Sequence, residues 1–223
     1  MKFNSRFSSV LTATVCLLLC IVILSEASAQ DLGYKPEKDD PEYKLGDLRF
    51  QYPKRYRTKS VNGQNENTVF FTDQKNGDWL FVSLLKDGVE LGQVKESLKG
   101  LLAVNLLQNT SQNLKWKQSE EPYGLFGKYH KEVEKWQALN GKQILAVESH
   151  YLNVKGRRIL AGYAFVMEEP TAKSAEASFN RGDDFGSGPA GAGCSTIVAS
   201  ITGENNIMIG MPPPAVAPPK SKN

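Results

Sequence analysis

Apolar and polar residues alternate over much of the chain, and the alternation predicts strands. Leu48, Phe50 and Tyr52 alternate with Asp47, Arg49 and Gln51, the period of a half-buried strand. One strand is therefore expected over 45–52, stopped by Pro53. Thr68–Thr72 and Trp79–Leu85 are rich in aromatic and β-forming residues and flank a turn containing Asn76-Gly77, which predicts a hairpin with a longer loop. Leu114–Gln118 is a further short strand. Val133–Leu139, Gln143–Val154 and Arg158–Met167 follow, divided by Asn140-Gly141 and by Lys155-Gly156-Arg157. They form a three-strand meander, expected at the centre of an antiparallel sheet.

The period changes to that of a helix between Glu90 and Gln108. Leu91, Val94, Leu98, Leu101, Leu102 and Leu106 share a broad apolar face, with Lys95, Glu96 and Lys99 placed elsewhere. Gly100 costs about 1 kcal/mol relative to alanine in mid-helix and is assigned to close packing on the sheet. Pro170 ends the last long strand. Thr171–Gly193 is small, polar and Gly-rich and reads as a long loop. Cys194–Ile201 then makes a short final helix, with Ile197, Val198 and Ile201 on one face and Gly203 as its C-cap. The expected architecture is α+β: an antiparallel sheet with a C-terminal three-strand meander, flanked by one long and one short helix.

The ends of the 223-residue chain differ in character from its middle. Lys2 and Arg6 precede an apolar run, Val10–Leu24, and Ala27-Ser28-Ala29 is a small-residue cleavage site. That order describes a secretory signal peptide over 1–29. Its core is shorter than the ~20 residues a spanning helix needs, so no stable membrane insertion is expected after cleavage. Residues 30–44, with Pro36 and Pro41, form a flexible lead-in. One domain spans 45–203, and 204–223, with Pro212-Pro213-Pro214 and Pro218-Pro219, form an extended tail.

Charge narrows the partners. Without the leader the chain keeps 25 basic and 23 acidic residues, a near-neutral balance that predicts no general attraction to nucleic acid. Cys194 is the one thiol left after cleavage, so no intramolecular disulfide and no CxxC site is available. Export without disulfides fits a bacterial periplasm or cell surface.

Candidate chemistry is sparse. Gly186, Gly188 and Gly191 satisfy G-x-G-x-x-G, but no strand leads into them and the upstream topology is antiparallel. Gly188, Gly193 and Ser195 resemble a phosphate-binding loop in which Cys194 replaces the required lysine. Nucleotide chemistry is set aside on both counts. Lys54, Arg55 and Arg57 are read as a solvated strand end, and Arg181-Gly182-Asp183 as a chance tripeptide. Asn109-Thr110-Ser111 is a glycosylation sequon relevant only in a eukaryotic secretory pathway. Glu148 and His150 lie two apart on one strand and share a face; they are the candidate ligand-binding pair, with a solvent-side hydrogen bond as the plainer reading. No metal site and no cofactor is expected, since a third ligand is not found.

Several short segments together resemble the PsbP-like α/β sandwich family. They are Phe50-Gln51-Tyr52-Pro53, the Val69–Leu85 strand pair, the Glu90–Gln108 helix and Leu139-Asn140-Gly141. Lys155-Gly156-Arg157-Arg158 and the closing Ile197-Val198-Ala199-Ser200-Ile201 complete the set. The likeness covers most of Leu45–Gly203, departing at the Gly-rich stretch and the Pro-rich tail. It implies an antiparallel sheet flanked by helices, usually without enzymatic activity, and brings no catalytic residues with it. The expected function is an exported, non-enzymatic binding or accessory protein whose partner is an envelope protein or a small ligand. The alternative is a hydrolase-type enzyme with Cys194 as nucleophile and His130 or His150 as base.

Overall fold

The computed structural model describes residues 36–108, 114–119, 124–125, 127–181, 188–204 and 208–209, all within the compact unit Gly33–Asn223. The expected signal peptide, the sequon, Gly182, Asp183, Gly186 and the Pro-rich run lie outside the described residues.

Eleven strands and three helices are described. Seven strands form one sheet in the order β3 (Arg57–Lys59), β4 (Thr68–Thr72), β5 (Trp79–Leu85), β10 (Arg157–Glu168), β9 (Gln143–Val154), β8 (His130–Asn140), β6 (Lys115–Ser119). Every neighbouring pair is antiparallel. The expected meander is β8-β9-β10, and it does sit centrally, because the β4–β5 hairpin adds to the free side of β10. Lys155 and Gly156 both have positive φ (51° and 82°), as a two-residue hairpin turn matched to strand twist requires. Two smaller ladders join β1 (Glu42–Leu45) to β2 (Leu48–Gln51) and β7 (Gly124–Leu125) to β11 (Met208–Ile209).

The first strand therefore needs correcting. Residues 45–52 are not one strand but part of a hairpin that begins at Glu42, within the supposed lead-in. It reverses at Gly46, whose φ of 61° is available to glycine without a Cβ clash. Alternation alone does not show such a reversal, because both arms keep the same in-out period.

Helix α1 (Leu91–Leu106) covers one face of the sheet. Leu98 and Leu102 pack with Phe70, Trp79, Phe81, Trp136, Leu145 and Leu160, with Val94, Leu101 and Leu106 at the margin. Two details differ from expectation. Gly100 is not a packing glycine: a Cβ there would meet nothing within 4 Å. Lys95 lies on the buried face, its ammonium between Glu132 and Glu134 (2.8 Å to Glu134).

The other face is covered by the β1–β2 hairpin and by two helices, and here the Gly-rich loop is overturned. Ala172–Arg181 is helix α2, and Gly188–Thr202 is helix α3. Among the described residues three helices thus flank the sheet, and the last is a full 15 residues. Thr171 and Ser174 exchange side-chain and backbone hydrogen bonds at the start of α2, as an N-cap does. Glycine-rich α3 violates helix propensity because its small residues let it approach the sheet. A Cβ on Gly193 would stand 3.0 Å from both Leu80 and Tyr56, so burial of Ala190, Cys194, Ile197 and Val198 against Tyr56, Leu80 and Val82 outweighs the intrinsic cost. Ser200 Oγ accepts from Gln51 N–H at 2.7 Å, tying α3 to β2.

Candidate functional site

On the face shared by α2 and α3, cross-strand register builds a charged row. Tyr163, Glu148 and Lys135 are direct partners across β10, β9 and β8, and Ala161, His150 and Val133 form the adjacent row. His150 Nε2 lies 2.9 Å from Glu148 Oε1, Tyr163 donates its hydroxyl to Glu148 Oε2 at 2.9 Å, and Lys135 Nζ stands 3.6 Å from the same oxygen. Glu148 and His150 are 2% and 0% exposed. The pair is hydrogen-bonded, but it is buried rather than on the solvent side.

His130 joins this cluster through an irregularity. The ladder between β8 and β9 slips between His130 and Glu132, leaving Lys131 as the extra residue. A bulge of this kind reverses the side to which residues beyond it point. His130 consequently faces the same side as His150, and the two rings meet edge to face with centroids 5.3 Å apart.

Electrostatics follow from the burial. Desolvation works to raise the Glu148 carboxyl. The hydrogen bond and charge of His150, the Lys135 ammonium and the Tyr163 hydroxyl outweigh it and hold the group below the ordinary carboxylate range. Burial, assisted by the His150 charge and opposed by a Gly127 backbone hydrogen bond, lowers His130 to about 4. Cys194 is 0% exposed; burial and then the Glu148 charge push its thiol well above its usual value. A reactive cysteine needs an electropositive, accessible setting that favours thiolate, and Cys194 has the reverse.

Two depressions border these elements. One, of about 30 Å³, is lined by Lys135, Gln137, Ala146, Glu148, Tyr163 and Phe165, with Tyr163 and Phe165 stacked at 6.2 Å. The other, of about 260 Å³, lies between the 37–55 segment and α3, lined by Glu37, Asp40, Lys54, Arg55, Gly193 and Thr196. Its cations are engaged. Lys54 pairs with Glu37 and Asp39 at 3.1 and 2.8 Å, and Arg55 donates to Pro189 O at 2.6 Å; Arg57, outside the depression, donates to the carbonyls of Lys54 and Tyr56. Among the described residues no group of three His, Cys, Asp or Glu side chains has the arrangement of a metal site.

The glutamate and both histidines were visible as residue types; Tyr163 and Lys135 were missed. Counting outward from the turn at Lys155-Gly156 places Tyr163 opposite Glu148, and counting from the turn the structure makes at Gly141-Lys142 places Lys135 there. The signal was register rather than motif.

The fold and this face define an α+β sandwich: an antiparallel sheet between helical layers with a buried charge cluster on one side. No family model matches the chain. No curated protein matches it either. Among solved structures it is similar to the Saccharomyces cerevisiae Ran-binding protein Mog1p, at 11% identity over 78% of this chain and 96% of that one, with a TM-score of 0.37. A point mutant of Mog1 gives 12% identity, 77% and 96% coverage and a TM-score of 0.35. At such TM-scores, what Mog1p binds carries no implication for this chain. Among the described residues no helix is long and apolar enough to cross a membrane.

Proposed function

We propose that the chain is an exported, non-enzymatic binding or accessory protein of the periplasm or cell surface, a PsbP-like sandwich acting through the sheet face between α2 and α3. The observation that carries the reading is the form of that face. Its depression has a volume of about 30 Å³, room for about one water, whereas small-molecule sites run to about 300–1,000 Å³. A shallow floor with a stacked Tyr163–Phe165 pair and a lysine beside a buried carboxylate suits a protein surface better than an engulfed substrate. The sealed Cys194 thiol weighs against the hydrolase alternative, since neither thiolate nor access is provided. The secretory leader supports export.

A photo-crosslinking residue at position 165 tests the reading in cells expressing the whole chain. A discrete crosslinked partner is expected from position 165 and not from position 104, where Val104 is exposed on α1. Equal labelling from both positions, or from neither, argues against a functional face here.

A further inference from the structure

Asn-Gly occurs three times in the chain, as Asn62-Gly63, Asn76-Gly77 and Asn140-Gly141, each time at a reversal of the backbone. The dipeptide carries chemistry of its own. Glycine has no Cβ to shield its backbone nitrogen, so that nitrogen can attack the side-chain carbonyl of the preceding asparagine. The attack needs an asparagine side chain free to swing onto the main chain and a glycine N–H committed to no other bond. The three sites meet these conditions unequally.

In the β4–β5 hairpin both reacting groups are held by one residue. Asn76 Nδ2 donates to Asp73 Oδ2 at 2.9 Å, and Gly77 N–H donates to the Asp73 carbonyl at 2.8 Å. Asp73 is itself buried, so exposure of Asn76 does not free it. At the β8–β9 reversal Asn140 is half-buried, stays in the ladder opposite Gln143, and donates Nδ2 to Leu107 O at 3.2 Å. Asn62 and Gly63 are both exposed. Among the described residues no hydrogen bond holds the Asn62 side chain or the Gly63 N–H. The flanks of this turn are clamped instead. Gln64 N–H donates to Val61 C=O at 3.1 Å, Val61 N–H donates to Gln64 Oε1 at 3.2 Å, and Gln64 Nε2 donates to Thr68 O at 2.6 Å. The clamp leaves the central pair out in solvent.

We propose that Asn62 is a self-modification site: in the folded protein it deamidates through a cyclic imide, while Asn76 and Asn140 are protected. The Gly63 nitrogen gives its proton to hydroxide and forms a bond to Asn62 Cγ. The Cγ–Nδ2 bond breaks, and the side-chain nitrogen leaves as ammonia after taking a proton from water. Water then opens the imide. Opening at the Cγ carbonyl gives aspartate, and opening at the main-chain carbonyl gives isoaspartate, whose main chain runs through Cβ. In net terms a water enters and an ammonia leaves. Either product places a new negative charge on the turn, and isoaspartate also lengthens its backbone by a carbon. Val61, next in the chain, is buried in the apolar layer under α1, so the lengthened turn strains the edge of that layer.

Incubation of the full mature chain in mildly alkaline buffer, folded and in parallel unfolded in guanidinium, tests the proposal. Peptide mapping by mass spectrometry reads the exchange of amide nitrogen for oxygen at each asparagine and separates aspartate from isoaspartate. In the folded chain Asn62 is expected to convert at least about tenfold faster than Asn76, which must first open two hydrogen bonds, and faster than Asn140 by a similar factor. In guanidinium the three rates converge, because the protection is structural. Asn62→Gln removes the early acidic species that ion exchange resolves from the folded wild type. The proposal is overturned if Asn76 or Asn140 converts as fast as Asn62 in the folded chain, or if Asn62 stays intact there while the unfolded chain converts it. It is equally overturned if Asn62 keeps its full lead in guanidinium, which would assign the selectivity to local sequence.

Discussion

Acidification should unfold this protein through His130. The ring is held to about 4 in the folded chain, against an ordinary 6.5, first by burial and then by the His150 ring it abuts. The unfolded chain takes up the proton near pH 6.5, while the folded chain resists it until about pH 4. Between those values the unfolded state binds more protons, so stability is complete above pH 6.5 and falls as pH drops toward 4. A full shift of this size corresponds to about 3.4 kcal/mol at about 1.4 kcal/mol per unit. Near pH 4.5 the integrated loss is about 2.5 kcal/mol, and residual solvent screening at the half-buried ring reduces it to about 2 kcal/mol. The depressed Glu148 carboxyl acts in the same direction but lower: its contribution is present above the ordinary carboxylate value of 4.5 and is lost as pH falls through its folded value. Urea unfolding followed by tryptophan fluorescence, near pH 7.5 and near pH 4.5, measures the effect. Wild type should lose about 2 kcal/mol more than His130→Gln between the two conditions. Equal losses in the two proteins would refute the assignment and place the acid sensitivity elsewhere.

Three further outcomes follow from the same geometry. Cys194 should resist thiol reagents in the native protein and react only at the rate of opening, and Cys194→Ala should leave partner binding intact; fast labelling of folded protein contradicts the sealed thiol. Gly162→Ala should cost about 2 kcal/mol or more by urea titration, because a Cβ there runs into the Glu148 carbonyl oxygen and the Phe81 ring. Glu148→Ala should cost about 3 kcal/mol, since it strips the carboxylate from Tyr163, His150 and Lys135. Tyr163→Phe should cost about 1 kcal/mol, and equal effects of these two substitutions would show that the carboxylate is not the hub.

Much of the sheet was legible because period-two patterning and turn residues report the same register. Asn140-Gly141 marks the first reversal of the meander to within a residue, Lys155-Gly156 fixes the second, and the apolar face of 90–108 fixes α1. Lys95 was legible too, four residues from Leu91 and three from Leu98, but a charged side chain was assumed to leave a buried face. What local pattern does not contain is tertiary compensation. The first part of helix α3, residues 188–193, reads as a loop because Gly188, Gly191 and Gly193 weaken an isolated helix, and at Gly193 the approach to Tyr56 and Leu80 explains the glycine. The bulge at Lys131 likewise leaves no mark in the sequence, yet it turns His130 toward His150.

One comparison tests directly whether the sheet between α2 and α3 carries the proposed binding face. Mature wild-type protein and Phe165→Asp, matched for folding by far-ultraviolet circular dichroism, are immobilised and presented with extract of their own cell envelope. A partner is expected to be retained by wild type and lost with Phe165→Asp, while Val104→Asp on α1 retains it. A partner held equally by all three proteins, or no partner held above background by wild type, would contradict it.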